Sequence, residues 1–419
     1  MRTALRKTVL DNGVRVVIEP MTSVRSAAVG VWVDVGSRDE ESGEEGVSHF
    51  LEHMFFKGTR RRSAQTLARE IDVLGGELNA FTSRETTTFY TKALDEHLPR
   101  AVGLLGEIFL ESTFAREELE REKQVVLEEI KMVEDDPEEF VFDLYADYVW
   151  RNHPLGRPIL GEVETIETMT RRRLTGFLAR HYHPSNTVIA VAGRCDPSAV
   201  EALIAKTFSR FTGTARPPSV RTPPKTRGGI LLKRKALEQV HICLGAEGLS
   251  QGHEDRYALH VLNAVLGGSV SSRLFQEVRE RRGLAYSIYS SISSYHDAGL
   301  FSIYAATSRP AASRVINLCL KECHTLRRRA VPKAELTRAK DHLKGSLMLG
   351  LEGTYSRMSR LAKDELYGGR RVSLREMLDG INAVTAADIS RVAKTCLAPD
   401  TMALTVLGPI QRRDLPAEL

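Results

Sequence analysis

Long hydrophobic runs are missing from this chain of 419 residues: nowhere do about 18 apolar residues follow one another, the length a membrane-crossing helix needs. The opening Met1-Arg2-Thr3-Ala4-Leu5-Arg6 also lacks the apolar core of a signal peptide. A soluble cytoplasmic protein with no membrane partner is expected. Cysteine is scarce, with five residues (Cys195, Cys243, Cys319, Cys323 and Cys396) that are scattered and odd in number. That excludes a disulfide framework and fits a reducing compartment. Cys319 and Cys323 lie in an apolar helical stretch and read as small buried residues rather than a metal pair. An excess of one charge is lacking too, since 59 Lys and Arg against 54 Asp and Glu leave a net charge of +5. A nucleic-acid partner therefore gains no support. The triplets Arg60-Arg61-Arg62, Arg171-Arg172-Arg173 and Arg327-Arg328-Arg329 have no aromatic residues interleaved and read as solvated surface.

What is present is an ordinary globular composition, 42% hydrophobic and 27% charged, in a chain too long for a single core. The most informative stretch is His49-Phe50-Leu51-Glu52-His53. On a helix, positions i, i+3 and i+4 share a face, so both imidazoles would converge with the Glu52 carboxylate beside them. Neutral imidazoles are good zinc ligands, and a catalytic zinc takes three protein ligands and keeps a position for water. Glu52 could take a proton from that water. The spacing reverses the H-E-x-x-H of metalloprotease helices. The alternative is a surface helix with two solvated histidines, and a third ligand decides between them.

Residues 212–229 hold two Pro-Pro pairs and a Gly-Gly without apolar periodicity, which predicts a linker between domains 1–211 and 230–419. The halves echo each other. Strands are predicted at Arg15–Ile18 and Ala27–Val33 in the first, and at Ile230–Leu232 and Gln239–Leu244 in the second. A helix follows in each, over Val47–Phe56 and Asp255–Val265, then further strands. Long helices come next, Arg116–Met132 and Pro332–Leu351, and each half closes on a helix, a Pro-containing turn and a strand. Strands followed by helices predict two similar α+β domains with antiparallel-rich sheets. Laying Gly58-Thr59 on Gly268-Ser269 puts Leu259, Leu262 and Asn263 where the first half has His49, Glu52 and His53. The scaffold thus folds without those polar residues, which argues that in the first half they serve chemistry.

The helix Arg116–Met132 supplies candidates for the third ligand. Its apolar face runs through Leu119, Val126, Ile130 and Val133, and Glu122 and Glu129 lie beside that stripe, two turns apart. Glu128 points about 100° away. A carboxylate partly buried there needs a partner, which a cation would provide. A solvated acidic helix is the other reading.

His49-Phe50-Leu51-Glu52-His53, with the later Val126-Leu127-Glu128-Glu129-Ile130, resembles the pitrilysin/insulinase (M16, inverzincin) metallopeptidases, and is most similar to the short-chain branch that includes mitochondrial processing peptidase. The resemblance covers almost the whole chain. It implies a LuxS/MPP-like metallohydrolase fold and a zinc endopeptidase acting on small or unfolded peptides. It implies one Zn²⁺ per chain on His49, His53 and Glu129, with Glu52 as general base and Glu122 important to activity. Asn79-Ala80-Phe81-Thr82 would pair with extended substrate by β-augmentation; read alone, this segment follows a hairpin turn at Gly75-Gly76. Gly267 and Gly268 resemble a shortened glycine-rich loop, whose glycines permit close backbone approach. Arg279 and Tyr286 match an Arg and Tyr that reach the substrate at the zinc site; read alone, they are a surface ion-pair residue and a core aromatic. The resemblance also implies a homodimer, or a heterodimer with a paralogue. The alternative is a non-catalytic structural or partner subunit of the same fold.

Overall fold

In a computed structural model of the chain, residues 5–213, 221–369 and 371–416 are described. The middle of the expected linker, residues 214–220, lies outside them. Along the first half run β1 (Arg6–Val9), β2 (Arg15–Pro20), β3 (Ser26–Val33), α1 (Val47–Phe55), α2 (Ala64–Leu74), β4 (Glu77–Thr82) and β5 (Thr87–Leu94). They are followed by α3 (Leu98–Glu111), α4 (Arg116–Asp135), α5 (Pro137–Val149), α6 (Val163–Glu167), α7 (Arg171–His181), β6 (Thr187–Gly193) and α8 (Pro197–Phe208). The second half holds β7 (Gly229–Arg234), β8 (Val240–Glu247), α9 (Arg256–Leu266), β9 (Ala285–Ser294), β10 (Gly299–Thr307) and α10 (Ala312–Arg328). It ends with α11 (Lys333–Gly350), α12 (Thr354–Lys363), α13 (Leu374–Ala383), α14 (Ala386–Cys396) and β11 (Ala403–Gly408).

The first sheet has the order β1-β2-β6-β3-β5-β4 and the second β7-β11-β8-β10-β9. Without β1, the two orders superimpose strand for strand, so the echo in the sequence is a repeat in the topology. Only the pairs β2·β6 and β7·β11 are parallel; the others are antiparallel. The expected antiparallel-rich α+β class holds.

The chain's two compact units are not the two contiguous halves. Unit 1 comprises Met1–Met132, Arg157–Val220 and Gly350–Arg371, and unit 2 comprises Val133–Gly156, Arg221–Leu349 and Val372–Leu419. The halves exchange one helix each. Met358, Leu361 and Ala362 of α12 are buried with Trp32, Tyr90, Val188 and Ala190 of the first sheet. Val141, Tyr145 and Val149 of α5 are buried with Cys243, Tyr304, Ala403 and Leu407 of the second. The physical reason is in the strands: β3 is buried along almost its whole length, on both faces, so a second layer must cover the side its own helices leave open. The approach is close enough that a Cβ on Gly30 would sit 2.7 Å from Met358 Sδ.

Gly75-Gly76 is not a hairpin turn. Gly75 (φ 60°) closes the C-terminus of α2, and β4 starts at Glu77, after Gly76. The hairpin turn lies between β4 and β5, where Ser83 binds back to Thr86. All five cysteines are free thiols, and Cys319 and Cys323 are buried on α10 as expected. Among the described residues no helix is long and apolar enough to cross a membrane.

Candidate metal centre

Helix α1 is held from below and from its start. Val47, Phe50, Leu51 and Met54 are fully buried in the first core, which leaves His49, Glu52 and His53 on the opposite, half-buried side. Gly46 enters the helix at φ 87°, and a Cβ there would lie 2.5 Å from the Leu160 carbonyl oxygen. Buried Glu40 caps the first turn: its Oε2 accepts from Gly46 N–H and its Oε1 from Ser48 N–H, both at 2.8 Å.

Helix α4 buries Leu119, Glu122, Val126 and Ile130 and thereby turns Glu129 toward α1. Glu129 Oε2 lies 3.4 Å from His53 Nε2 and 3.8 Å from His49 Nε2. One donor atom from each of the three residues falls within 4.8 Å of the others. Ligands about 2.1 Å from a tetrahedral zinc are about 3.4 Å apart, so this spacing suits such an ion. Glu129 Oε2 and His49 Nδ1 are both buried without a hydrogen-bond partner. A buried carboxylate oxygen facing two imidazole nitrogens, with no donor of its own, is what a cation would satisfy. Glu128 instead points to solvent and pairs with Lys131 at 2.7 Å.

Behind the three donors runs a chain of charge. Glu122 Oε2 lies 3.0 Å from His53 Nδ1, and Glu122 Oε1 lies 2.6 Å from Lys57 Nζ. An N–H donated from His53 Nδ1 to Glu122 leaves Nε2 as the lone-pair nitrogen facing Glu129. Lys57 was not anticipated from the sequence; it lies four residues after His53, just past the end of α1.

Burial pulls the His49 imidazole down to about 3, aided by the neighbouring His53 ring, so His49 is neutral and fit to donate a lone pair. Burial also pulls on His53, but the Glu122 hydrogen bond and the charges of Glu129 and Glu52 outweigh it and hold that ring above its usual range. Glu122 is raised by burial and lowered further by hydrogen bonds to His53 and Lys57, so it stays ionised. Glu52 is raised, chiefly by burial, while a hydrogen bond from Thr82 pulls the other way.

The remaining sequence candidates fall in several places. Asn79, Ala80, Phe81 and Thr82 form the end of β4, an edge strand bonded to β5 alone. Asn79 is exposed and its Oδ1 accepts from Ala80 N–H at 2.8 Å, while Phe81 packs edge-on against Trp32. The Thr82 hydroxyl meets Glu52 Oε2 at 2.7 Å. Gly267, Gly268, Arg279 and Tyr286 belong to unit 2. A Cβ on Gly267 would fall 2.4 Å from Ser290 N, so that glycine is required by the approach of α9 to β9. The Arg279 guanidinium, on a π-helical turn, stacks between the rings of Phe275 and Tyr286 at 4.7 and 4.6 Å. Tyr286 is 78% exposed, so it is not a core aromatic. In the second half Leu259 and Leu262 are buried, and Asn263 binds Ser290 Oγ, so the repeat of α1 carries no ligand set.

A two-fold repeated α+β fold with a His-x-x-Glu-His helix facing a glutamate on a second helix defines a metallopeptidase class of architecture. The chain belongs to the M16 peptidase family: the model "Insulinase (Peptidase family M16)" matches residues 15–163 and "Peptidase M16 inactive domain" matches residues 168–343. An uncharacterized zinc protease of Bacillus subtilis is 43% identical over 97% of this chain and 98% of its own. Two solved structures share the fold. A protease from Helicobacter pylori matches with TM-score 0.89 and 23% identity over 98% of this chain and 100% of that one. A chain of complex III from Candida albicans matches with TM-score 0.85 and 22% identity over 97% and 96%.

Proposed function

We propose that this protein is a zinc-dependent endopeptidase that cleaves small or unfolded peptides. The observation that carries the reading is the orphaned Glu129 Oε2 set between two imidazole nitrogens, with Glu52 on the same helical face. In this reading His49, His53 and Glu129 hold one zinc ion per chain. When bound, zinc polarises a carbonyl and makes a water acidic enough to be deprotonated near neutral pH. Glu52 accepts that proton and passes it to the leaving amine, a role its half-buried, raised carboxyl suits. Glu122 fixes the tautomer of His53. The free edge of β4 takes an extended peptide as a further strand, through backbone hydrogen bonds that read no particular sequence. Arg279 and Tyr286 donate to the developing oxyanion, and the aromatic stacking supports a pre-formed orientation for Arg279. A cytoplasmic homodimer, or a heterodimer with a paralogue, completes the proposal.

The test combines metal analysis with hydrolysis of a quenched peptide by wild type and Glu52→Gln. Wild type should hold one zinc and cleave, and Glu52→Gln should keep the zinc and lose at least about a hundredfold in kcat. A zinc-loaded wild type that cleaves no peptide would leave the alternative of a non-catalytic subunit, and near wild-type kcat in Glu52→Gln would remove Glu52 as the base. Light scattering decides the assembly.

A further inference from the structure

We infer that Thr82 is a positioning residue for Glu52, rather than a substrate contact. The inference rests on the peptidase reading above and assigns a role that reading leaves open. Strand β4 alternates its faces: Leu78 and Ala80 pack into the core that contains α1, whereas Phe81 packs into the cluster on the other side of the sheet. Thr82 has the parity of Leu78 and Ala80, so its side chain emerges on the α1 side, at the end of the strand. There its hydroxyl lies 2.7 Å from Glu52 Oε2 and 3.5 Å from the Ser48 carbonyl oxygen. A hydroxyl has one proton, and the short contact to a carboxylate, an acceptor only, takes it. Glu52 is thus anchored from a different element than the helix that carries it.

The consequence is geometric. A glutamate carries three side-chain torsions, and a general base must be within about 3 Å of the proton it removes. The anchor selects one orientation of the carboxylate, so that it is in place before substrate arrives. The same strand that would hold the peptide through its backbone therefore sets the base through its last side chain. Substrate register and base position are locked together by one short segment.

The experiment compares Thr82→Val and Thr82→Ser with wild type in the full-length, zinc-loaded protein. Valine keeps the shape and β-branching but has no hydroxyl; serine restores the hydroxyl. Thr82→Val should lose roughly 10- to 100-fold in kcat, the range for a hydrogen bond to a charged group, with KM within about twofold. Thr82→Ser should return to within about threefold of wild type, and both should keep wild-type zinc affinity in a chelator competition. Crystal structures should show the Glu52 carboxylate displaced in Thr82→Val alone. Unchanged kcat in Thr82→Val, a loss confined to KM, failure of serine to rescue, or an unmoved Glu52 would each overturn the inference. Should wild type cleave nothing, the peptidase reading falls and the position of Glu52 in the crystals decides Thr82 by itself.

Discussion

Replacing Lys57 by methionine isolates what the buried charge chain contributes to metal binding. Methionine retains most of the length and apolar stem but removes the ammonium that lies 2.6 Å from Glu122 Oε1. Glu122 has 4% of its side chain exposed and Lys57 31%, so the pair stands between two regimes. Exposed ion pairs contribute about 0–1 kcal/mol, and breaking a fully buried one costs about 3–5 kcal/mol. Because water reaches Lys57 but hardly Glu122, about 1–3 kcal/mol is expected here. Glu122 would then lose its counter-charge and hold His53 Nδ1 less firmly, and loss of such outer partners weakens metal binding about 10- to 100-fold. Chelator competition should therefore show zinc affinity falling by that factor in Lys57→Met, with a lower Tm in the metal-free protein. The double variant Lys57→Met/Glu122→Gln, which removes both charges together, should recover part of the lost stability although not the zinc affinity. Wild-type zinc affinity in Lys57→Met would refute the reasoning, because Glu122 would then orient His53 without help.

Glu129→Gln should lose zinc by at least about a hundredfold in affinity, since an ionised ligand becomes neutral. Glu128→Gln should bind like wild type; the opposite pattern in metal analysis would exchange the two residues' roles. Glu40→Gln should destabilise the start of α1 by about 2 kcal/mol, because its amide nitrogen would face a backbone N–H that Glu40 now satisfies. That corresponds to a Tm lower by roughly 4–8 °C in calorimetry, and an unchanged Tm would show that α1 does not depend on this cap.

How much was legible in the sequence depended on how local each feature is. The strand-then-helix order and the repeat were readable because periodicity and turn residues act over a few positions. The same reasoning misplaced Gly75-Gly76: two glycines mark a break, but a helix end and a hairpin turn demand the same left-handed backbone. It also divided the chain at its proline-rich stretch and missed that α5 and α12 each pack against the other half's sheet. Nothing in a helix's own sequence says which apolar surface will cover it.

The same division runs through the metal centre. Sequence by itself determined that His49, Glu52 and His53 share a face, because helix geometry places i, i+3 and i+4 together whatever surrounds them. It also put Glu122 and Glu129 along one edge of α4 and turned Glu128 away. Only the tertiary structure decided that this edge meets α1, that Lys57 closes the charge chain behind His53, and that Thr82 reaches Glu52 from β4. Those contacts join residues from separate elements of the fold, and their distances are set by packing rather than by any repeat along the backbone.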